Sequence, residues 1–452
     1  MSTVKIKPPK GPLERFLSLF TEVHTGEGPT VLLLTLNLFL ILTAYYILKP
    51  VREALILEGK GGAEIKSYAA AGQAILLLGV VPLYGLLASR LPRQRLINYV
   101  SLFFIGCLGL FYVLAQLRVP LGVIFYLWIG IFNLMVVAQI WSFANDLYTP
   151  EAGKRLFAIV AFGASSGAVF GSFIAGRLIG LVGVYQLLLV GGFILILSLL
   201  LTNLIEHRER HRAEGGVPPR AVSKAEEPIG AGGAFQLVVK NRYLLLIAFL
   251  MLFLNWVNTT GEYILGKTVA QAAADAVARG TSGGLSKGEY IGKFYSDFFT
   301  VVNLTGLLAQ LFLVSRIIRY LGVQAAILFL PVIALGGYTL LAFYPVLSVV
   351  RWVKTAENAT DYSLQNTVRQ TLFLPTKREE KYKAKQATDT FFVRAGDVLS
   401  AVLVYVGTTW LFLETQQFAL VNLGLAFIWL ILAVLVGREN RKLTALHPGE
   451  PR

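Results

Sequence analysis

The sequence predicts an all-α membrane protein, with twelve transmembrane helices in two pseudo-symmetric halves of six. Three observations predict it. Hydrophobic residues fill 55% of 452 positions, and mean hydropathy is +0.64. Charged residues are 15%, where soluble domains carry about 25%. The apolar residues also fall into runs of about 20, the length that crosses a hydrocarbon core. A soluble enzyme fold is excluded for most of the chain.

Residues 1–29 form the N-terminal segment. "MSTVKIKPPKGPLERF" is basic but runs into no immediate apolar stretch, so no cleaved signal peptide is expected. The first half, 30–205, holds spans at 30–57, 67–89, 95–116, 120–147, 156–181 and 184–205. A linker follows over 206–242. Its core, "EHRERHRAEGGVPPRAVSKAEEPIGAGG", is too polar and too rich in Gly and Pro to bury anything. The second half, 243–437, holds spans at 243–271, 289–315, 322–343, 345–373, 384–411 and 415–437, before a tail at 438–452.

The basic residues orient the bundle. Lys5, Lys7, Lys10 and Arg15 precede span one, and Arg90, Arg93 and Arg95 follow span two. Lys154 and Arg155, the linker, Arg316 and Arg319, Lys377 to Lys385, and Arg438 to Lys442 continue the alternation. The positive-inside rule then puts both termini in the cytoplasm, in a bacterial inner membrane. The net charge of +15 reads as a basic face toward the lipid bilayer rather than a nucleic-acid surface. A monomer is expected. The single Cys107 excludes an intrachain disulfide and argues against a thiolate metal site. Of the four histidines only His207 and His211 are neighbours, so no metal and no cofactor are expected.

The halves echo each other. "LLASRLPRQRLINY" and "FLVSRIIRYLGVQA" occupy matching turns, as do "YTPEAGKRLFAIVAFGASSG" and "FLPTKREEKYKAKQATDTFFVRAGD". This is similar to the two-half plan of major-facilitator transporters. "GLLASRLPRQR" resembles the motif those proteins carry after span two, without its usual Asp.

Charges inside the spans mark the candidate site, because a lipid-facing charge at the bilayer centre costs about 2.5–3.5 kcal/mol on insertion scales. In "YYILKPVREALIL", Tyr45, Lys49 and Arg52 share a helix face, and Glu53 lies four residues from Lys49. Pro50 favours a kink or break. Either the span ends near Leu48 and the charges reach headgroups, or they face a wet cavity. The apolar "EALIL" that follows favours the cavity. Span seven repeats the pattern, with "NTTG" loosening the helix before Glu262 and Lys267. Span ten carries Arg351, Lys354, Glu357 and Asp361 at helical spacing, and its alternative is a surface helix. Span eleven adds Lys385, Asp389, Arg394 and Asp397, of which Lys385 and Asp389 also fit a cytoplasmic gate. Cations from several spans would attract a polyanion, and guanidinium groups suit phosphate oxygens. Aromatics such as Tyr45 could stack on a base. No phosphate loop, zinc-protease helix or nucleophile elbow is present, so no catalytic residues are expected and the chain is not read as an enzyme.

"YYILKPVREALIL" resembles the first-span motif of the ATP/ADP translocases of plastids and obligate intracellular bacteria, with Lys49, Arg52 and Glu53 at its charged positions. "WSFANDLYTPEAGKRLFAIVAFGAS", "VNTTGEYILGK" and "VKTAENATDYSLQNTVRQTLFLPTKREEKYKAKQATD" are similar to three further family stretches, in the same order. The resemblance runs from about residue 30 to 400. It implies nucleotide exchange, with phosphates at Lys49, Arg52, Lys354 and either Lys267 or Arg394, and with Glu262 and Asp361 coupling or gating. It departs from the family in span four, where "LWIGIFNLMVVAQIWSF" holds no acid and Asn133 is the nearest polar residue. A carrier of another phosphorylated or organic anion, or a sensor that lost transport, fits the same fold.

Overall fold

Long apolar runs in a membrane must satisfy their backbone polar groups internally, so they become helices. The computed structural model describes residues 11–18, 21–214, 234–376 and 384–446, and every regular element among them is helical. A short α1 (Pro12–Leu17) precedes α2 (Gly28–Leu57), α3 (Gly62–Arg90), α4 (Arg93–Gln116), α5 (Gly122–Leu147), α6 (Pro150–Val182) and α7 (Gln186–Glu214). Then come α8 (Ala234–Lys240), α9 (Arg242–Ala278), α10 (Lys287–Phe312), α11 (Val314–Ala326), α12 (Phe329–Phe343) and α13 (Leu347–Thr360). After a π-helical turn at Asp361–Gln365 follows α14 (Asn366–Thr371). A second π-helical turn at Thr388–Phe392 leads into α15 (Val393–Thr409), and α16 (Thr415–Leu446) ends the described chain.

Local chemistry sets several boundaries. Asn241 accepts from the amides of Tyr243 and Leu244 at 3.0 and 3.4 Å and starts α9. Ser286 and Glu289 form a reciprocal capping box at α10. Gly183 closes α6 with φ at 86°, where a Cβ would be strained.

Among the described residues nine helices are long and apolar enough to span a membrane, or ten if α10 and α11, bent by 75°, count as one. The expected count of twelve is therefore not reached on length and apolarity alone. The segment read as span nine is the shorter α12. Span ten is helical over its core, but charge and a π-helical turn interrupt it. The first span keeps its predicted end, and α2 runs on past Leu48 and through Pro50 to Leu57. Pro50 does not break it. Span six runs longer than expected, because α7 continues through residues assigned to the linker as far as Glu214. Arg210 bonds Glu206 at 3.1 Å across that added turn. The linker's residues 215–233, the loop 377–383, Lys5, Lys7, Lys10 and the tail beyond 446 lie outside the described residues.

Two compact units are distinguished. One comprises Met1–Arg52, Val80–Leu121 and Trp128–Glu226. In it α2 and α6 lie backbone to backbone. Gly163, Gly167 and Gly171, four residues apart, face Thr35, Phe39 and Thr43. A Cβ on Gly171 would come 2.5 Å from the Thr43 carbonyl oxygen, and Cβ atoms on the other two would also overlap backbone oxygens. This is the small-residue spacing that lets membrane helices touch. On the other side of α2, Asn37 donates to Thr202 at 2.7 Å and accepts from Ser198 at 2.5 Å, both on α7. The basic turn after span two also acts here. Arg93 bonds Asp146 at 3.1 Å and Glu206 at 2.5 Å, fastening the ends of α4, α5 and α7.

The other unit comprises Glu53–Gly79, Gly122–Leu127 and Glu227–Arg452. Its centre is α9, packed against α10, α13, α15 and α16.

Candidate functional site

Around the middle of α9 an alternating row of acids and bases is buried. Glu53, at 0% exposure, meets Lys66 at 2.7 Å. Lys66 in turn lies 3.6 Å from Glu262, and Glu262 lies 3.6 Å from Lys354. Lys354, also at 0%, bonds Glu357 at 3.0 Å, and Glu357 accepts from the Tyr338 hydroxyl at 2.9 Å. Asn258 offers its side-chain oxygen to Lys354 at 2.9 Å, and Asn358 donates to Glu262 at 3.1 Å. Charges survive such burial only when paired and hydrogen-bonded. Glu262 is the least enclosed member, with its side chain 23% exposed, and it bridges two lysines.

The backbone makes room for this row. A Cβ on Gly261 would strike the Tyr338 hydroxyl and sit 3.0 Å from the Lys354 ammonium. Gly261 thus admits both groups to the face of α9. The expectation that "NTTG" loosens the helix is corrected, because α9 is continuous through it. Span ten is no surface helix either, since Lys354, Glu357 and Asn358 are buried.

The other predicted residues fall into separate places. Lys267 sits one turn beyond the row, bonding the Tyr263 hydroxyl at 3.1 Å and lying 3.6 Å from Glu64. Arg351 lies over the rings of Phe294 and Trp352, at 5.6 and 5.9 Å. Arg394 bonds Asp397 at 3.2 Å, and Asp397 also accepts from Asn255 and Thr259 at 2.8 and 2.9 Å. The expected convergence of all these cations is therefore not what this unit shows. Within it Lys354 alone among the predicted cations joins the row. In the first unit, Lys49 is buried with its ammonium 5.1 Å over the Tyr46 ring. Arg52 is half-buried one residue before Glu53, and Tyr45 packs edge-on to Tyr46 at 5.1 Å.

Asp361 and Asp389 each occupy a π-helical turn, and both have Arg369 as a counter-charge. Lys385 donates to Gln370. Such turns leave backbone groups out of register and recur at functional sites. Gln365, 2% exposed, ends the first turn with neither its amide oxygen nor its nitrogen hydrogen-bonded.

Lys66 is the principal residue that sequence reasoning missed. It sits in "EGKGGAEIK", read as a loop, but α3 starts at Gly62 and takes it inside. The close Gly62, whose Cβ would lie 2.5 Å from the Ile56 carbonyl, is the local signal for so early a helix start.

A family model described as TLC ATP/ADP transporter matches residues 9–121. "ADP,ATP carrier protein 2" of Chlamydia pneumoniae is 22% identical, over 97% of this chain and 95% of that protein. "ADP,ATP carrier protein 2" of Chlamydia trachomatis serovar D is 22% identical, over 94% and 91%. Among solved structures, the nucleoside transporter NupG aligns with a TM-score of 0.65 at 15% identity, over 90% of this chain and 98% of that one. The POT family transporter PepTSo aligns with a TM-score of 0.62 at 12% identity, over 92% and 98%. The likeness to both transporters is one of fold. With its first spans matched and two relatives aligned along nearly its whole length, the chain is similar to the ATP/ADP carriers, and its long apolar helices make it an integral membrane protein.

Proposed function

We propose that the protein exchanges nucleotides of the ATP/ADP type across a bacterial inner membrane by alternating access. The observation that carries this reading is Glu262 held between Lys66 and Lys354. A carboxylate between two buried ammonium groups is an internal stand-in for an anion. A phosphate that takes the lysines displaces it. Lys49 and Arg52 are phosphate-contact residues on the family resemblance of their own stretch, and in the second unit Glu53, Glu357 and Asp361 balance the charge of the empty carrier. The names of both Chlamydia relatives support the substrate class.

Counterflow in proteoliposomes tests the substrate. Vesicles loaded with unlabelled ATP should accumulate labelled ADP, and external ATP and ADP should compete while sugar phosphates do not. Uptake indifferent to internal nucleotide, or blocked by sugar phosphates alone, would replace nucleotides with another phosphorylated anion. Binding without flux would make the protein a sensor.

The orientation belongs to the same reading. Both termini and the linker lie in the cytoplasm, and the carrier works as a monomer. A reporter active only in the periplasm should be silent when fused at residue 220 and active at residue 280. The reverse pattern would invert the topology.

A further inference from the structure

A groove of about 630 Å³ opens where α9 begins and α16 ends, away from the charged row. Its lining is of two kinds. Arg242, Arg438, Arg441 and Lys442 supply charge, while Leu328 and Val434 supply apolar wall. All four cations are exposed. Glu439 is the acid in the lining, and it is occupied by Lys442 at 3.0 Å. Among the described residues Arg441 spends only its Nε on a neighbour, Gln324 Oε1 at 2.9 Å. Among the described residues Arg242 and Arg438 form no ion pair. Glu439 also feels the charge of Arg242, yet four cations face this one acid, so the groove carries a surplus of positive charge, mostly guanidinium, suited to two-point contact with phosphate oxygens.

Its position narrows the ligand. The apolar run of α16 ends at Val436 and the cations begin at Arg438, while Arg242 is the first residue of α9. The groove thus straddles the boundary between hydrocarbon and water on one membrane face. Among the described residues no aromatic side chain lines it, so a nucleotide would find no ring there on which to stack its base. A soluble phosphate has no use for the apolar wall. The floor is firm, because Asn440 donates to the Tyr243 hydroxyl at 2.8 Å and that hydroxyl donates to the Leu372 carbonyl at 2.7 Å. We propose that this groove is a binding site for an anionic phospholipid, its phosphodiester held by Arg242, Arg438 and Arg441 and its acyl chains lying against Leu328 and Val434.

The test uses the full-length protein in a neutral detergent. Mixed micelles containing phosphatidylglycerol or cardiolipin should raise Tm by several degrees, and phosphatidylcholine should not. The double variant Arg438→Gln/Arg441→Gln should lose most of that rise while its Tm without lipid stays near wild type. Arg316→Gln/Arg319→Gln, which removes exposed arginines elsewhere, should keep it. Should the first double variant fold poorly, Val434→Trp fills the wall and leaves every charge, and it should lose the rise as well. Native mass spectrometry should show a retained anionic lipid lost in the same variants. The proposal falls if both double variants respond equally to lipid, if phosphatidylcholine works as well, or if free ATP or inorganic phosphate displaces the lipid. None of these outcomes depends on which anion the carrier transports.

Discussion

Lys354→Met is expected to abolish exchange and to destabilise the protein by about 3–5 kcal/mol, the usual effect of removing one partner of a buried ion pair. The reason is the company that Lys354 keeps. Its ammonium bonds Glu357 at 3.0 Å and Asn258 at 2.9 Å and lies 3.6 Å from Glu262, at 0% exposure. Without it, Glu357 remains 2% exposed, a carboxylate with only the Tyr338 hydroxyl beside it. The methionine fills much of the space but satisfies nothing. Stability and transport should then be separable. In Lys354→Met/Glu357→Gln the charge left behind by the first change is gone, so Tm should recover substantially. Exchange should not recover, since the phosphate has lost its ammonium. Thermal unfolding and counterflow on one preparation decide this. A single variant that keeps both wild-type Tm and exchange would remove Lys354 from the site. A double variant that regains exchange would show that its role is structural.

Glu262→Gln should slow exchange roughly tenfold or more, about 1.4 kcal/mol on the barrier, while changing nucleotide affinity by less than about threefold. A lone carboxylate repels a polyanion, so it contributes little to holding one. Its position between Lys66 and Lys354, each 3.6 Å away, suits a different task. In the proposed cycle two buried ammonium groups are left when the substrate leaves, and Glu262 neutralises them before the empty carrier changes its facing. Glutamine keeps the hydrogen bond from Asn358, seen here at 3.1 Å, and loses the charge. Affinity measured in detergent and exchange measured in liposomes report the two steps separately. An equal loss of both, or of neither, would leave Glu262 as a packing contact.

The sequence made the ordered pair Lys354–Glu357 visible, because three-residue spacing on a helix brings side chains together regardless of the fold. It also made α2 visible beyond Lys49, because an apolar turn after a charge is costly to leave outside a helix. Glu262 stood out as an acid within an apolar run. What joins it to Lys66 is not local. The two are almost two hundred residues apart, and no periodicity relates α3 to α9. Tyr338 and Asn358 were hidden for the same reason, each being an ordinary residue in its own helix. Lys267 and Arg394 looked equivalent to Lys354 on spacing, yet Glu64 and Asp397 hold them elsewhere. The π-helical turns at Asp361 and Thr388 have no composition of their own to announce them.

The three-glycine contact between α2 and α6 has a mechanical consequence. Helices that meet through long side chains can slide by exchanging rotamers, as oars cross without locking. Here carbonyl oxygens of Thr35, Phe39 and Thr43 rest directly over Gly163, Gly167 and Gly171, and backbone rather than a long side chain makes the contact. The two helices therefore behave as one double-width beam. Whatever tilts the end that bears Lys49 and Arg52 also swings α6, so a force applied there is passed along the partner helix toward its start at Thr149.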